Sequence, residues 1–126
     1  SNHELALTLD HTLSDYVSRL QHEDIISRTK SIVSELLPTG NVSNEMVADA
    51  LHMSPRSLQR KLANVDTTFR NLVEQVREEL AKSFLTDESY NLIEITYMLG
   101  FSSQSSFTRA FKRWTGVTPQ DFRDAA

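Results

Sequence analysis

The sequence predicts an all-α protein of about seven helices, arranged as two helix-turn-helix subdomains joined by a long linker helix. Three observations carry that expectation. Glycine and proline occur only three times each in 126 residues. Strict apolar alternation is confined to Leu5, Leu7 and Leu9; elsewhere the apolar residues return at three- and four-residue steps, the period of a helix. In addition, two stretches match each other at an offset of 48 to 49 residues.

The signal is weakest over residues 1–22. Leu13, Tyr16, Val17 and Leu20 suggest a helix there, Ser1 and Asn2 resemble a cloning remnant, and the acidic, histidine-containing stretch reads as a linker or the tail of an upstream domain. From residue 23 the pattern firms. Ile25, Ile26, Thr29, Ile32, Val33, Leu36 and Leu37 form one face of a helix that Pro38, Thr39 and Gly40 stop. Ser43 caps a short helix in which Met46, Val47, Ala50 and Leu51 turn inward. Ser54 followed by Pro55 opens the next helix, to about Ala63, because the serine oxygen takes an orphan N–H and proline has none to lose. After a Thr68 cap, Phe69, Leu72, Val73, Val76, Leu80 and Phe84 mark a long helix of about 18 residues, roughly 27 Å. Asn91 with Glu94 forms a capping box for a helix through Leu99, with Gly100 as its left-handed exit. Ser103 or Ser102 caps a helix to about Trp114, ended by Gly116, and Thr118 with Pro119 opens a last short helix holding Phe122. The double helix-turn-helix domain thus covers 23–126: subdomain one about 23–66, linker helix about 68–86, subdomain two about 87–126.

Composition narrows the function. At 39% hydrophobic and 24% charged the chain is composed as a globular protein, long enough for one domain or two small ones sharing a core. Without cysteine it has neither a disulfide framework nor a thiolate metal site, so a cytoplasmic location is expected. It lacks the apolar run of roughly 18 residues that a membrane span needs, and no membrane partner is expected. His3, His11, His22 and His52 have no ligand spacing, and no cofactor or metal is expected. Paired carboxylates, a nucleophile with its base and a phosphate loop are all missing from the pattern, so the chain reads as no enzyme.

The net charge of −4 argues at first against a nucleic-acid partner, but its distribution argues otherwise. Residues 1–40 hold six acids against three bases, a net of −3. Met53 to Val65 carries Arg56, Arg60 and Lys61 with no acid, and Gly100 to Gln120 carries Arg109, Lys112 and Arg113 with no acid. Surface potentials are screened within about 8 Å at physiological salt, so a ligand at one face responds to local charge.

Those basic segments are the repeat. Residues 54–62 match residues 103–111 at an offset of 49, and the helices before them match at 48, so the second turn is one residue longer. Each unit is a short helix, a tight turn and a capped helix: the layout of a helix-turn-helix. Leu58 with Leu62, and Phe107 with Phe111, lie four apart and pack on the preceding helix. The opposite faces present Arg56, Gln59 and Arg60 in unit one, and Gln104, Ser105, Thr108 and Arg109 in unit two. These side chains read base edges: arginine pairs with guanine, glutamine with adenine, and serine or threonine adds a hydrogen bond or methyl contact. Phosphate contacts are expected from Ser54, Ser57 and Ser103 at the helix starts and from Lys61, Lys112 and Arg113, cations that otherwise serve solubility. Phe101, Phe107, Phe111, Trp114 and Phe122 recur at helical spacing and belong to a core rather than a base-stacking surface. A protein-interaction module using the same faces is the alternative, and it would require apolar residues where Arg, Gln, Ser and Thr stand.

Ile95, Gly100, Phe101, Ser105 or Ser106, Phe107, Arg109, Phe111, Lys112, the run Gly116 to Pro119, Phe122 and Arg123 resemble the signature of the C-terminal DNA-binding domain of the AraC/XylS family of bacterial transcriptional regulators. Ala48, Met53, Ser54, Leu58, Arg60 and Leu62 fit its first unit, and Phe69 with Arg77 to Ala81 resembles its linker helix. The resemblance covers about Thr29 to Arg123. It implies two recognition helices in neighbouring major-groove segments of double-stranded operator DNA. It also implies transcription activation through RNA polymerase, and a small-molecule effector acting only through an N-terminal effector-binding or dimerisation domain, of which residues 1–22 would be the end. Three departures stand out: Thr96 where alanine is usual, Asp66 where glycine often closes the first unit, and His52 at the first turn. Aspartate and histidine tolerate a left-handed turn, so only the packing around Thr96 is in question.

Overall fold

In a computed structural model of the chain, the described residues are 2–126 for the backbone and 11–21 and 24–126 for the side chains. They form α1 (Asn2–Leu36), a 3-10 turn (Leu37–Thr39), α2 (Asn44–Ala50), α3 (Pro55–Ala63), α4 (Phe69–Leu85), α5 (Leu92–Met98), α6 (Gln104–Thr115) and α7 (Pro119–Ala125), with no strand among them. The all-α expectation holds. Ser43, Ser54, Thr68, Asn91, Ser103 and Thr118 each accept the backbone N–H three residues on, as expected, and the choice between Ser102 and Ser103 falls on Ser103. The Asn91 and Glu94 capping box closes in both directions.

Helix α1 runs through residue 22 without a break. Nothing between Asn2 and Leu37 is a glycine or proline, so only Pro38 ends it. At 35 residues it is roughly 52 Å long. Its C-terminal third buries Ile25, Thr29 and Val33 at four-residue steps, whereas Leu13, Tyr16, Val17 and Leu20 are exposed. Ser1, the side chains of residues 2–10, and therefore the expected cloning remnant and the leucine alternation at 5–9 lie outside the described residues.

Two cores result. Val33, Leu37, Val47, Ala48, Leu51, Leu58, Leu62, Leu72, Val73 and Val76 form the aliphatic one. Ala81, Leu85, Ile95, Leu99, Phe107 and Phe111 form the other, with Phe101, Trp114 and Phe122 packed against it. Leu80, two thirds of the way along α4, packs against both. One expectation is corrected here: Met46 and Ala50 are exposed, and α2 buries Val47, Ala48 and Leu51 instead. A seven-residue helix has barely two turns, and contact with α3 selects the 47, 48, 51 face.

The repeat proves longer than the sequence suggested. At offset 48 the buried pairs Val33 and Ala81, Leu37 and Leu85, Val47 and Ile95, Ala48 and Thr96, and Leu51 and Leu99 correspond. At offset 49 Leu58 and Leu62 correspond to Phe107 and Phe111. At offset 50 the left-handed Asp66 (φ 60°) corresponds to Gly116 (φ 86°), and the caps Thr68 and Thr118 follow. Each unit therefore has four helical parts. The N-terminal half of α4 is the last part of unit one, as α7 is of unit two; the C-terminal half of α4 opens unit two, as the end of α1 opens unit one.

Tertiary ties converge on α4. Lys30 on α1 donates to Glu79 at 3.0 Å, and Arg113 on α6 donates to Glu74 at 2.9 Å. Arg123 on α7 donates to the carbonyls of Leu85, Phe84 and Asp87, satisfying orphan acceptors at the end of α4. Thr96 is fully buried, and its hydroxyl donates to Leu92 O at 2.8 Å, which settles how a hydroxyl fits where unit one has Ala48.

Candidate nucleic-acid interface

Each recognition helix starts from a local device. Ser54 and Ser103 end the preceding turns in extended conformation and cap α3 and α6. The turns themselves are set by left-handed residues, His52 (φ 58°) and Gly100 (φ 81°), one position after α2 and α5 have closed. The following amides reach back equivalently: Met53 N–H donates to Ala48 O at 3.0 Å, and Phe101 N–H to Thr96 O at 3.1 Å. Burial of Leu58 and Leu62, and of Phe107, Ala110 and Phe111, then fixes which face of each helix points outward.

That outward face holds the expected base-reading residues. Arg56, Gln59 and Arg60 on α3 and Gln104, Ser105 and Arg109 on α6 are exposed, and Thr108 is half-buried. Gln104, Ser105, Thr108 and Arg109 line one shallow, open hollow. The side chains of Arg56, Gln59, Arg60 and Lys61 make no hydrogen bond or ion pair to another described residue; that of Arg109 reaches only Ser106 Oγ, at 3.5 Å. The arginines and Lys61 are surface cations, and Gln59 a surface amide, rather than members of a structural network.

The expected phosphate-contacting residues divide. Lys61 and Lys112 are exposed and unpaired within the described residues. The oxygens of Ser54 and Ser103 are engaged as caps, accepting from Ser57 N and Ser106 N. Ser57 is half-buried. Arg113 is held by Glu74, a partner 39 residues away that no local pattern reveals. The helical pattern does not single out Arg70, which is exposed at the second position of α4 and lines a hollow shared with Gln59, Thr67 and Thr68. The signal for it was the Thr68 cap, which places this cation beside the end of α3.

Exposed large apolar residues outside α1 are Met46, Ile93, Tyr97 and Val117, none of them on α3 or α6. The outer faces of the recognition helices are polar, contrary to what a protein-docking use of those faces would need. Among the described residues no group of three or more His, Cys, Asp or Glu could hold a metal ion, and no helix is long and apolar enough to cross a membrane.

Comparison with known proteins places this arrangement. A family model described as "Helix-turn-helix domain" matches residues 47–125. The chain is 44% identical over 81 residues to the ornithine utilization regulator of Pseudomonas aeruginosa, covering 64% of this chain and 24% of that protein. It is 40% identical over 96 residues to the HTH-type transcriptional regulator VirS of Mycobacterium tuberculosis, covering 76% of this chain and 28% of that protein. The chain thus spans about a quarter of the length of these relatives. Among solved structures, the C-terminal domain of AraT, a response regulator from Geobacillus stearothermophilus, superposes with a TM-score of 0.71 at 27% identity, covering 81% of this chain and 85% of that one.

Proposed function

Since the chain belongs to the AraC/XylS family of transcriptional regulators and carries its DNA-binding helix-turn-helix domain, we propose that it binds double-stranded operator DNA through two half-sites on one face of the duplex. α3 and α6 enter neighbouring major-groove segments, roughly one helical turn or ~10 bp apart. Arg56, Gln59 and Arg60 read one half-site; Gln104, Ser105, Thr108 and Arg109 read the other. Lys61, Lys112, Arg70 and the capped helix starts at Ser54, Ser57 and Ser103 contact phosphates, and Arg113 shares its guanidinium between Glu74 and the backbone. The observation that carries this reading is the pair of solvent-facing, polar outer faces, without ties to other elements, on two equivalently capped helices. The role extends to activation of transcription with RNA polymerase in the bacterial cytoplasm. A small-molecule effector acts through an upstream domain to which residues 1–22 connect.

Selection of bound duplexes from a random library, followed by titration at several salt concentrations, tests the proposal. Binding should weaken with a log–log slope of about −0.9 per neutralised phosphate. Protection of two sites about one turn apart is expected on the selected duplex. A single protected site would overturn the two-helix reading, and no salt-sensitive binding at low salt would overturn DNA binding altogether.

A further inference from the structure

Besides the shared helix, the two units meet where the turn at the end of α1 reaches α5. The 3-10 turn Leu37–Thr39, at the end of α1, packs on α5. There the Leu37 carbonyl lies so near Gly100 that a Cβ on the glycine would stand 2.7 Å from the oxygen. On the α4 side of the same turn is Arg77. Its Nε donates to Leu99 O at 3.0 Å, its guanidinium carbon lies 4.6 Å from the centre of the Phe101 ring, and its Nη2 is 3.5 Å from the same virtual Cβ of Gly100. The Phe101 ring in turn touches Phe107 of α6, with centroids 5.6 Å apart. One side chain on the shared helix thus grips the turn that aims the second recognition helix, at the point where that turn rests on unit one.

The repeat shows that this grip is not part of the unit's own fold. At the equivalent position unit one has Thr29, which is fully buried and whose hydroxyl has no hydrogen-bond partner. Unit one closes its core without such a tie.

We propose that Arg77 is a positioning residue for DNA recognition: it fixes the rotation of α6 relative to α3, and thereby the half-site spacing that the protein accepts. This rests on the two-half-site reading above. Arg77 is half-buried, and partial shielding from water strengthens its hydrogen bond and ring contact relative to fully exposed ones.

The test uses the full chain and three duplexes: the selected operator, the same operator with two base pairs inserted between half-sites, and an isolated half-site. Two inserted base pairs rotate one half-site by roughly 70°. In the unsubstituted protein the insertion should lower affinity by about tenfold or more, since one helix loses its base contacts. In Arg77→Ala the same insertion should cost less than about threefold, while affinity for the isolated half-site stays within about twofold. Arg77→Lys keeps the charge but not the planar fork, so it should behave as the alanine variant does and replaces it should alanine fail to fold. Full spacing discrimination in a folded variant overturns the role of Arg77 alone. Absence of spacing discrimination in the unsubstituted protein overturns the two-half-site reading on which it rests.

Discussion

The two units reach the same geometry with different chemistry. Unit one packs Leu58 and Leu62 among aliphatic neighbours, and the left-handed positions that follow its α2 and α3 are His52 and Asp66, with a third, Gly40, in the turn before them. Unit two packs Phe107 and Phe111 in an aromatic cluster, and its left-handed positions are Gly100 and Gly116. The difference teaches which features the helix-turn-helix requires and which are free. The caps, the left-handed exits and the four-residue spacing of the buried pair are common to both; side-chain volume and the identity of the left-handed residue are not.

The largest test of that contrast is truncation of the buried pair. Phe111 makes ring contacts with Phe107, Trp114 and Phe122 at centroid distances of 6.0, 6.4 and 5.4 Å. Phe111→Ala should cost about 3–5 kcal/mol in denaturant unfolding, and Leu62→Ala about 2–5 kcal/mol. Because α4 contributes to both cores and Leu80 touches both, each variant is expected to unfold in a single transition. Two resolved transitions would show that the units are independent and break the picture of a shared helix.

Next in size is an exchange at the first turn. Gly100→Ala places a Cβ at φ 81° and 2.7 Å from the Leu37 carbonyl, so both the backbone conformation and the contact must change. A loss of about 2–4 kcal/mol is expected, of which left-handed strain accounts for roughly 1–2 kcal/mol. His52→Gly relieves strain at φ 58° but loosens the unfolded chain, and stability should move by less than about 1 kcal/mol. Equal effects at the two positions, measured by urea unfolding, would mean that the approach of Leu37 to Gly100 carries no weight.

Recognition should differ between cations rather than between units. Arg109→Ala and Arg60→Ala are each expected to relax base preference at one operator position, at a cost of about 1–3 kcal/mol, whereas Lys112→Ala should weaken all sequences alike and reduce the salt slope by about one phosphate. Uniform loss across operator variants for Arg109→Ala would reassign it to the backbone.

Much of this was legible because the signals are local. A serine or threonine before a helix, a glycine after one and an apolar pair four residues apart are each decided within a turn of chain, and all fell where the sequence put them. What stayed hidden was decided by distant partners. α1 has no consistent apolar stripe, so its continuity from Asn2 rests only on the lack of a breaker. Met46 and Ala50 were misplaced because two turns of helix cannot define a face. The Glu74 partner of Arg113 and the Leu99 partner of Arg77 lie 39 and 22 residues away. The extension of the repeat into α1 and α4 is masked in the sequence because Thr29 occupies the position equivalent to Arg77.

The smallest contrast concerns the turns that lead into each unit. At offset 48, Thr39 Oγ1 accepts from Asn41 N–H at 3.1 Å, and Asp87 Oδ1 accepts from Ser89 N–H at 3.0 Å and from Ser89 Oγ at 2.7 Å. The side-chain-to-amide bond is the same, although Gly40 is left-handed and the equivalent Glu88 is not, and only one of the two acceptors can titrate. The Ser89 hydroxyl and amide, with help from Arg123, hold the Asp87 carboxyl below its ordinary pKa. A depressed folded-state pKa means that the stabilisation is present above the unfolded value and is lost as pH falls through the folded one. The carboxylate is fully solvent-exposed, so the effect is small and screened by salt. Asp87→Asn should therefore shallow the acid limb of a thermal-melting profile slightly and leave neutral pH nearly unchanged. Thr39→Ala should lower stability equally at every pH, and a pH-dependent loss there would show that the two turns do not owe their difference to the carboxylate.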